Sequence, residues 1–143
     1  MYKIRQAQEN DYETIFQLNN SLKNMRLLEV DSIIEREYYD QSLLREQDKW
    51  FVVENTGELI AFIYFTYDLN KLSIKNFIVH SDYKKKGIDE HLYKKMEQIA
   101  FNCKLMTMQV EISPEYTDVI DFFERKEWVK ETGKKRLYLK YIR

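Results

Sequence analysis

The sequence predicts an α/β fold with a mixed sheet and helices on both faces, and three observations point to it. Strand-length blocks of Val, Ile, Phe and Tyr lie near both ends and in the middle of the chain, and between them apolar residues recur every three or four positions. One proline and three glycines punctuate 143 residues, with no repeat or low-complexity tract to divide them. Hydrophobic residues make up 44% and charged residues 33%, which is enough apolar material for one core at this length. A single domain over residues 1–143 is expected.

The elements follow in order. Tyr2 to Ala7 alternates and reads as a first strand. Asn10-Asp11-Tyr12-Glu13 offers a helix cap, and Ile15, Phe16, Leu18 and Leu22 continue at helical spacing. Asp31-Ser32 predicts a second cap, ahead of a helix whose apolar face is Ile33, Ile34, Tyr38 and Leu43-Leu44. Lys49–Glu54 and Leu59–Leu69 read as strands around the hairpin signature Asn55-Thr56-Gly57-Glu58. Asn70-Lys71 turns the chain into a third strand of this meander, Leu72–His80. After the polar loop Ser81–Gly87, the spacing of Ile88, Leu92, Met96 and Ile99 predicts a helix with Lys94 and Lys95 facing out. Lys104–Ile112 is a strand, and Tyr116, Val119, Ile120 and Phe123 form a short helix. Trp128–Lys130 and Arg136–Tyr141 close a hairpin around Gly133.

Charge and composition exclude several functions. The net charge is −1, but residues 1–70 carry 7 Lys/Arg against 13 Asp/Glu and residues 71–143 carry 16 against 11. The basic residues of the second half fall in scattered elements, so nucleic acid is not expected as a partner. No run approaches a membrane span and Met1-Tyr2-Lys3-Ile4-Arg5 does not open a signal peptide, so a cytoplasmic protein with no membrane partner is expected. One cysteine, Cys103, excludes an internal disulfide and leaves no zinc cluster; no metal is expected, and Cys103 reads as a small core residue.

The stretch Phe77-Ile78-Val79-His80-Ser81-Asp82-Tyr83-Lys84-Lys85-Lys86-Gly87-Ile88-Asp89 carries the chemistry. An apolar strand ends in a polar loop, three lysines and a rare glycine follow, and a helix starts at once. Unpaired N–H groups at such a helix start attract an anion, which the lysines reinforce and Gly87 lets approach closely. This segment resembles the acetyl-CoA loop of the GNAT superfamily of N-acetyltransferases, Arg/Gln-x-x-Gly-x-Gly/Ala, with Lys84 on the first position and Gly87 on the first glycine. Val79-His80-Ser81-Asp82-Tyr83 resembles the family's Val-x-Pro-x-Tyr, and Val119 to Trp128 resembles its Ala-x-x-x-Tyr-x-x-x-Gly-Phe. The resemblance runs through the whole order of elements. It implies a mainly antiparallel sheet of six to seven strands and acetyl-CoA as cosubstrate. Lys84, Lys85, Lys86, Gly87, Ile88 and Asp89 would hold the diphosphate, Phe77, Ile78 and Val79 would bind pantetheine and the thioester carbonyl by backbone, and Phe123 would line the thiol pocket.

Besides Ser81 in place of the proline, four departures from the family pattern bear on the site. Asp89 stands at the second glycine, where it would oppose each facing unit charge by roughly 3 kcal/mol at about 5 Å and an effective dielectric near 20. Its carboxylate also has the chemistry to cap the helix and occupy N–H groups. Phe123 replaces the tyrosine that gives a proton to the departing thiolate, a loss worth about 10²–10⁴-fold for a true general acid. Lys75 lies where relatives place a glutamate, and Glu127 replaces the glycine before the aromatic.

The remaining candidate bases are Glu54 and Glu111, which lie on strands, and His80, which ends a strand and carries an imidazole, a side chain suited to base work. His80 also has the simpler reading of a structural residue. Glu29 to Asp48 holds seven acids and two arginines, which suits a cationic amine next to the site or a solvated acidic helix. The expected function is transfer of acetyl from acetyl-CoA to a primary amine, on a small molecule or a peptide, by a monomer or homodimer. The alternative is a catalytically reduced GNAT-like domain that binds a partner or regulatory ligand.

Overall fold

The computed structural model describes residues 2–21, 25–26, 34–134 and 136–142. In chain order the strands are β1 (Tyr2–Gln6), β2 (Met25–Arg26), β3 (Asp48–Asn55), β4 (Glu58–Tyr67), β5 (Lys71–Val79), β6 (Thr107–Glu111), β7 (Val129–Lys130) and β8 (Leu137–Tyr141). The helices are α1 (Tyr12–Asn20), α2 (Arg36–Leu43), α3 (Ile88–Asn102) and α4 (Thr117–Glu124), with single 3-10 turns at Glu9–Asp11 and Ser81–Tyr83. Seven strands stand in the order β1-β3-β4-β5-β6-β8-β7, and β2 pairs with β5 alongside them. Every pairing is antiparallel except β5 with β6.

Each face of the sheet closes its own core. On one face α3 and α4 bury Leu92, Met96, Phe122 and Phe123 against Phe51, Ile63, Phe77 and Val110. On the other, α1 and α2 bury Ile15, Leu18 and Tyr39 against Trp50, Phe62 and Ile78. The meander turns at Thr56-Gly57, where φ of 52° and 85° gives the two left-handed residues that a tight hairpin requires.

Several expectations change in detail. In α2 the inward residues are Tyr39 and Ser42, while Tyr38 and Leu44 are exposed. Trp50 Nε1–H donates to the Ser42 hydroxyl at 2.8 Å and the Tyr39 hydroxyl donates to the Gln8 carbonyl at 2.6 Å, so polar bonds turn this helix. Cys103 is exposed, and Leu105 takes the core position after α3. The cap expected at Asp31-Ser32, with Leu22 and Ile33, lies outside the described residues.

The end of α4 accounts for a sequence departure. Trp128 N–H donates to the Phe123 carbonyl at 3.1 Å and Glu127 N–H to Glu124 at 3.0 Å, the paired bonds of a Schellman stop. The Phe123 and Trp128 rings meet with centroids 4.9 Å apart, which supplies the motif's apolar contact. The left-handed position of this stop is Glu127, at φ 70°. A side chain there carries strain that glycine does not. Glu127→Gly is therefore expected to raise stability by about 1 kcal/mol in chemical denaturation. An unchanged or lowered midpoint would show that the Glu127 side chain compensates for its backbone.

Candidate functional site

The site begins where the sheet opens. β5 pairs with β6 only through Lys71–Ser73 and Thr107–Gln109, where Gln109 Nε2 also donates to the Ser73 hydroxyl at 3.0 Å. Beyond this point the two strands part. The register of β4 against β5 shifts between Tyr64 and Phe65, leaving Lys75 unmatched in a bulge that turns β5 away from β6.

The outer edge of β5 then presents backbone groups in a fixed alternation. His80 N–H donates to the Ile60 carbonyl of β4 at 2.8 Å. Residues one step away along a strand aim at the opposite neighbour, so Val79, and Phe77 two steps before it, aim N–H and C=O at the outer edge. β2 meets this edge at Val79 and Ile78.

Past β5 the chain makes a 3-10 turn over Ser81–Tyr83, and Tyr83 is pinned by Asn55 Nδ2–H at 3.2 Å and by the edge of the Tyr2 ring. Lys85 (φ 61°) and Gly87 (φ 79°) are both left-handed, which folds the loop sharply back onto the start of α3. Gly87 is the helix cap residue and lends no side chain to it. The first intrahelical bond runs from His91 N–H to the Gly87 carbonyl, so the N–H groups of Gly87, Ile88 and Asp89 have no intrahelical acceptor. The fourth, Glu90 N–H, donates to Asp89 Oδ1 at 2.8 Å. Asp89 thus occupies one donor at the helix start and places a carboxylate among the others.

A cleft of about 680 Å³ lies between this loop and α4. Its cationic walls are Lys84, Lys85 and Arg125, and its anionic walls are Asp89, Glu115, Asp118 and Asp121. Arg125 Nε lies 3.2 Å from Asp121 Oδ2, so that arginine is already engaged. The backbone donors and the two lysines suit an anionic group, while the surrounding carboxylates weaken the attraction. Lys86 is exposed and does not line the cleft.

The other predicted residues are dispersed. Glu54 is not at the opening: Arg5 Nε donates to its Oε2 at 2.9 Å, on a strand separated from β5 by β4. The same arginine grips Asp11 at 2.8 Å, and this ion-pair cluster ties β1 to the start of α1. His80 Nδ1 accepts Asp82 N–H at 3.1 Å and its ring packs on Tyr83, so one of its two ring nitrogens is engaged in the turn. Phe123 is fully buried against Tyr93, Phe122 and Trp128, and Phe122 takes its place in the cleft wall. Burial pushes the pKa of the nearby Tyr93 hydroxyl up to about 12, although the hydrogen bond it accepts from Trp128 Nε1–H pulls the other way. Glu111 is exposed at the end of β6, where the opening is widest. It lies on the face opposite Met108 and Val110, which point into the α3–α4 core. Tyr116 and Arg125 line the cleft and were not read as site residues in the sequence, where Tyr116 passes for one more apolar position of a short helix.

Gly87 tests the loop geometry. A Cβ there meets nothing within 4 Å, so the left-handed backbone alone resists substitution. Gly87→Ala is expected to lower stability by about 1 kcal/mol and Gly87→Asn by less, measured by thermal unfolding. Equal effects would mean that contacts rather than backbone conformation dominate.

Known proteins agree with this architecture. The sequence pattern of the Acetyltransferase (GNAT) family matches residues 9–128. The ribosomal-protein-S18-alanine N-acetyltransferase of Escherichia coli superposes with a TM-score of 0.82 over 99% of this chain and 94% of its own, at 14% identity. An acetyltransferase of the family from Desulfovibrio desulfuricans gives 0.83 over 100% of both chains at 11% identity. The PaiA N-acetyltransferase of Thermoplasma acidophilum, solved in complex with coenzyme A, gives 0.79 at 14% identity, covering 97% of this chain and 96% of its own. With the family pattern spanning most of the chain and the opened sheet behind it, the protein belongs to the GNAT family of acetyltransferases.

Proposed function

We propose that the protein transfers an acetyl group from acetyl-CoA to a primary amine by direct attack on the thioester. The observation that carries this reading is the alignment of two sets of backbone donors. The outer edge of β5 at Phe77 and Val79 leads directly into the loop that presents the N–H groups of Gly87, Ile88 and Asp89. The edge hydrogen-bonds the extended amide arm and polarises the thioester carbonyl, and the helix start holds the diphosphate with Lys84 and Lys85. The amine, once in its neutral form, bonds through nitrogen to the carbonyl carbon and gives up a proton to the base, the carbon–sulfur bond breaks and the thiolate leaves, to be protonated by solvent. With Phe123 buried and lacking a hydroxyl, that thiolate departs without an acid from this position, which a thiol pKa of about 8.5 tolerates.

Glu111 is the acid–base residue of this proposal, because it stands on the diverging strand and no ion pair among the described residues engages it. The acceptor, on a small molecule or a peptide, is cationic in this reading. Asp40 and Asp48 are tied to Arg36 and Arg45, which leaves, among the described residues of that segment, the exposed Glu35, Glu37 and Glu46 to attract it. A second reading, a domain that binds a ligand without turnover, is favoured by the four carboxylates around the cleft.

Calorimetric titration with acetyl-CoA separates the two readings, and absence of heat at millimolar ligand would overturn the enzyme. Asp89→Gly is expected to tighten binding on the order of tenfold, after allowance for the lost contact to Glu90 N–H and for screening by the lysines. Unchanged affinity would mean that the carboxylate does not face the phosphates. In turnover assays Glu111→Gln is expected to lower kcat about 10²-fold with little change in KM. An unaltered kcat would remove Glu111 as the base.

A further inference from the structure

We infer that Met25–Arg26 and the amide-bearing arm of the thioester substrate compete for one edge of β5, so that the structure is a self-occluded form of the site. The inference rests on the acetyl-CoA reading given above and adds a control on it. β6 leaves the outer edge of β5 after Ser73, and β2 returns to that edge at Ile78 and Val79. Met25 stands opposite Val79, and Val79 is the residue whose N–H and C=O face outward, because its neighbour His80 donates to Ile60 on the inner side. The Met25 backbone therefore uses the groups that an extended arm would use. Paired backbones lie about 4.8 Å apart, so one edge position admits a single occupant.

The pairing is also small enough to yield. Among the described residues β2 offers β5 two, whereas β4 grips the other edge over Ala61–Tyr67. Met25 and Arg26 must therefore leave the edge when substrate enters. The apparent affinity for substrate is then the intrinsic affinity reduced by the fraction of molecules in which the edge is open. Occupying the edge has a structural purpose as well, since an apolar strand end with unpaired backbone groups is costly to leave bare.

Amide hydrogen exchange of the wild-type protein, with and without coenzyme A, tests this without a mutation. Coenzyme A is expected to slow exchange at Gly87, Ile88 and Asp89 and to speed it at Met25, the opposite sign at the displaced strand. Met25 exchange that slows or stays constant while coenzyme A binds would overturn the inference and leave the acetyl-CoA reading intact. Met25→Pro deletes the donor to the Val79 carbonyl and is expected to tighten coenzyme A binding roughly three- to tenfold by calorimetry. Equal affinities for variant and wild type would also overturn it. Failure of both proteins to bind coenzyme A would instead overturn the acetyl-CoA reading, and the competition with it.

Discussion

The structure is organised around a hydrogen-bonding obligation on one strand edge. A strand running through the middle of a sheet must satisfy N–H and C=O groups on both sides, and β5 does so on one side over nearly its whole length. On the other side β6 stays for three residues and then departs. The departure is built into the chain: Lys75 bulges, the twist increases, and β6 continues with β8 instead. Two helical layers hold the halves in place, so the opening does not close by collapse. Whatever occupies the edge there, β2 or a ligand, must be extended and rich in amide groups.

The opposing theme is electrostatic. A helix start and two lysines of the run draw anions, yet four carboxylates share the cleft wall. The bond from Glu90 N–H to Asp89 stabilises α3 locally and removes a donor from the pocket at the same time. Stability of the helix end and attraction for phosphate are thus in direct conflict at one residue. Arg125, the remaining cation of the cleft, spends its charge on Asp121 one turn earlier in the chain.

The large elements were legible because their signals are local. Thr56-Gly57 between two apolar runs, and Gly87 ahead of a 3.6-residue period, depend on nothing distant. The commitments of Glu54 and His80 are hidden from the sequence for the opposite reason. The partner of Glu54 is Arg5, 49 positions away, and His80 is committed by a turn whose geometry depends on Tyr83 reaching Asn55. Tyr38 and Tyr39 look alike to a periodicity argument, and only the hydroxyl of Tyr39, bonded to Gln8 across 31 positions, decides which ring turns inward. The two-residue strand β2 carries no sequence signal at all, because its conformation is imposed by the vacant edge opposite. Phe123 was placed on the right helix, but a register judged by family spacing does not reveal that its neighbour Phe122 faces the cleft.

The two tryptophans of the chain are divided between the two cores, and this gives the protein a built-in optical pair. Trp50 lies in the α1–α2 layer, stacked on Tyr64 with centroids 4.0 Å apart and planes within 9°. Trp128 lies in the α3–α4 layer, its indole N–H held by Tyr93. Each indole is surrounded by different quenchers and polar partners, so their emission bands need not coincide. Replacing either tryptophan with phenylalanine leaves a single indole, selectively excited at wavelengths the tyrosines do not absorb, that reports the loosening of one layer. The order in which the two faces of the sheet lose their cover thereby becomes an observable of ordinary emission spectroscopy.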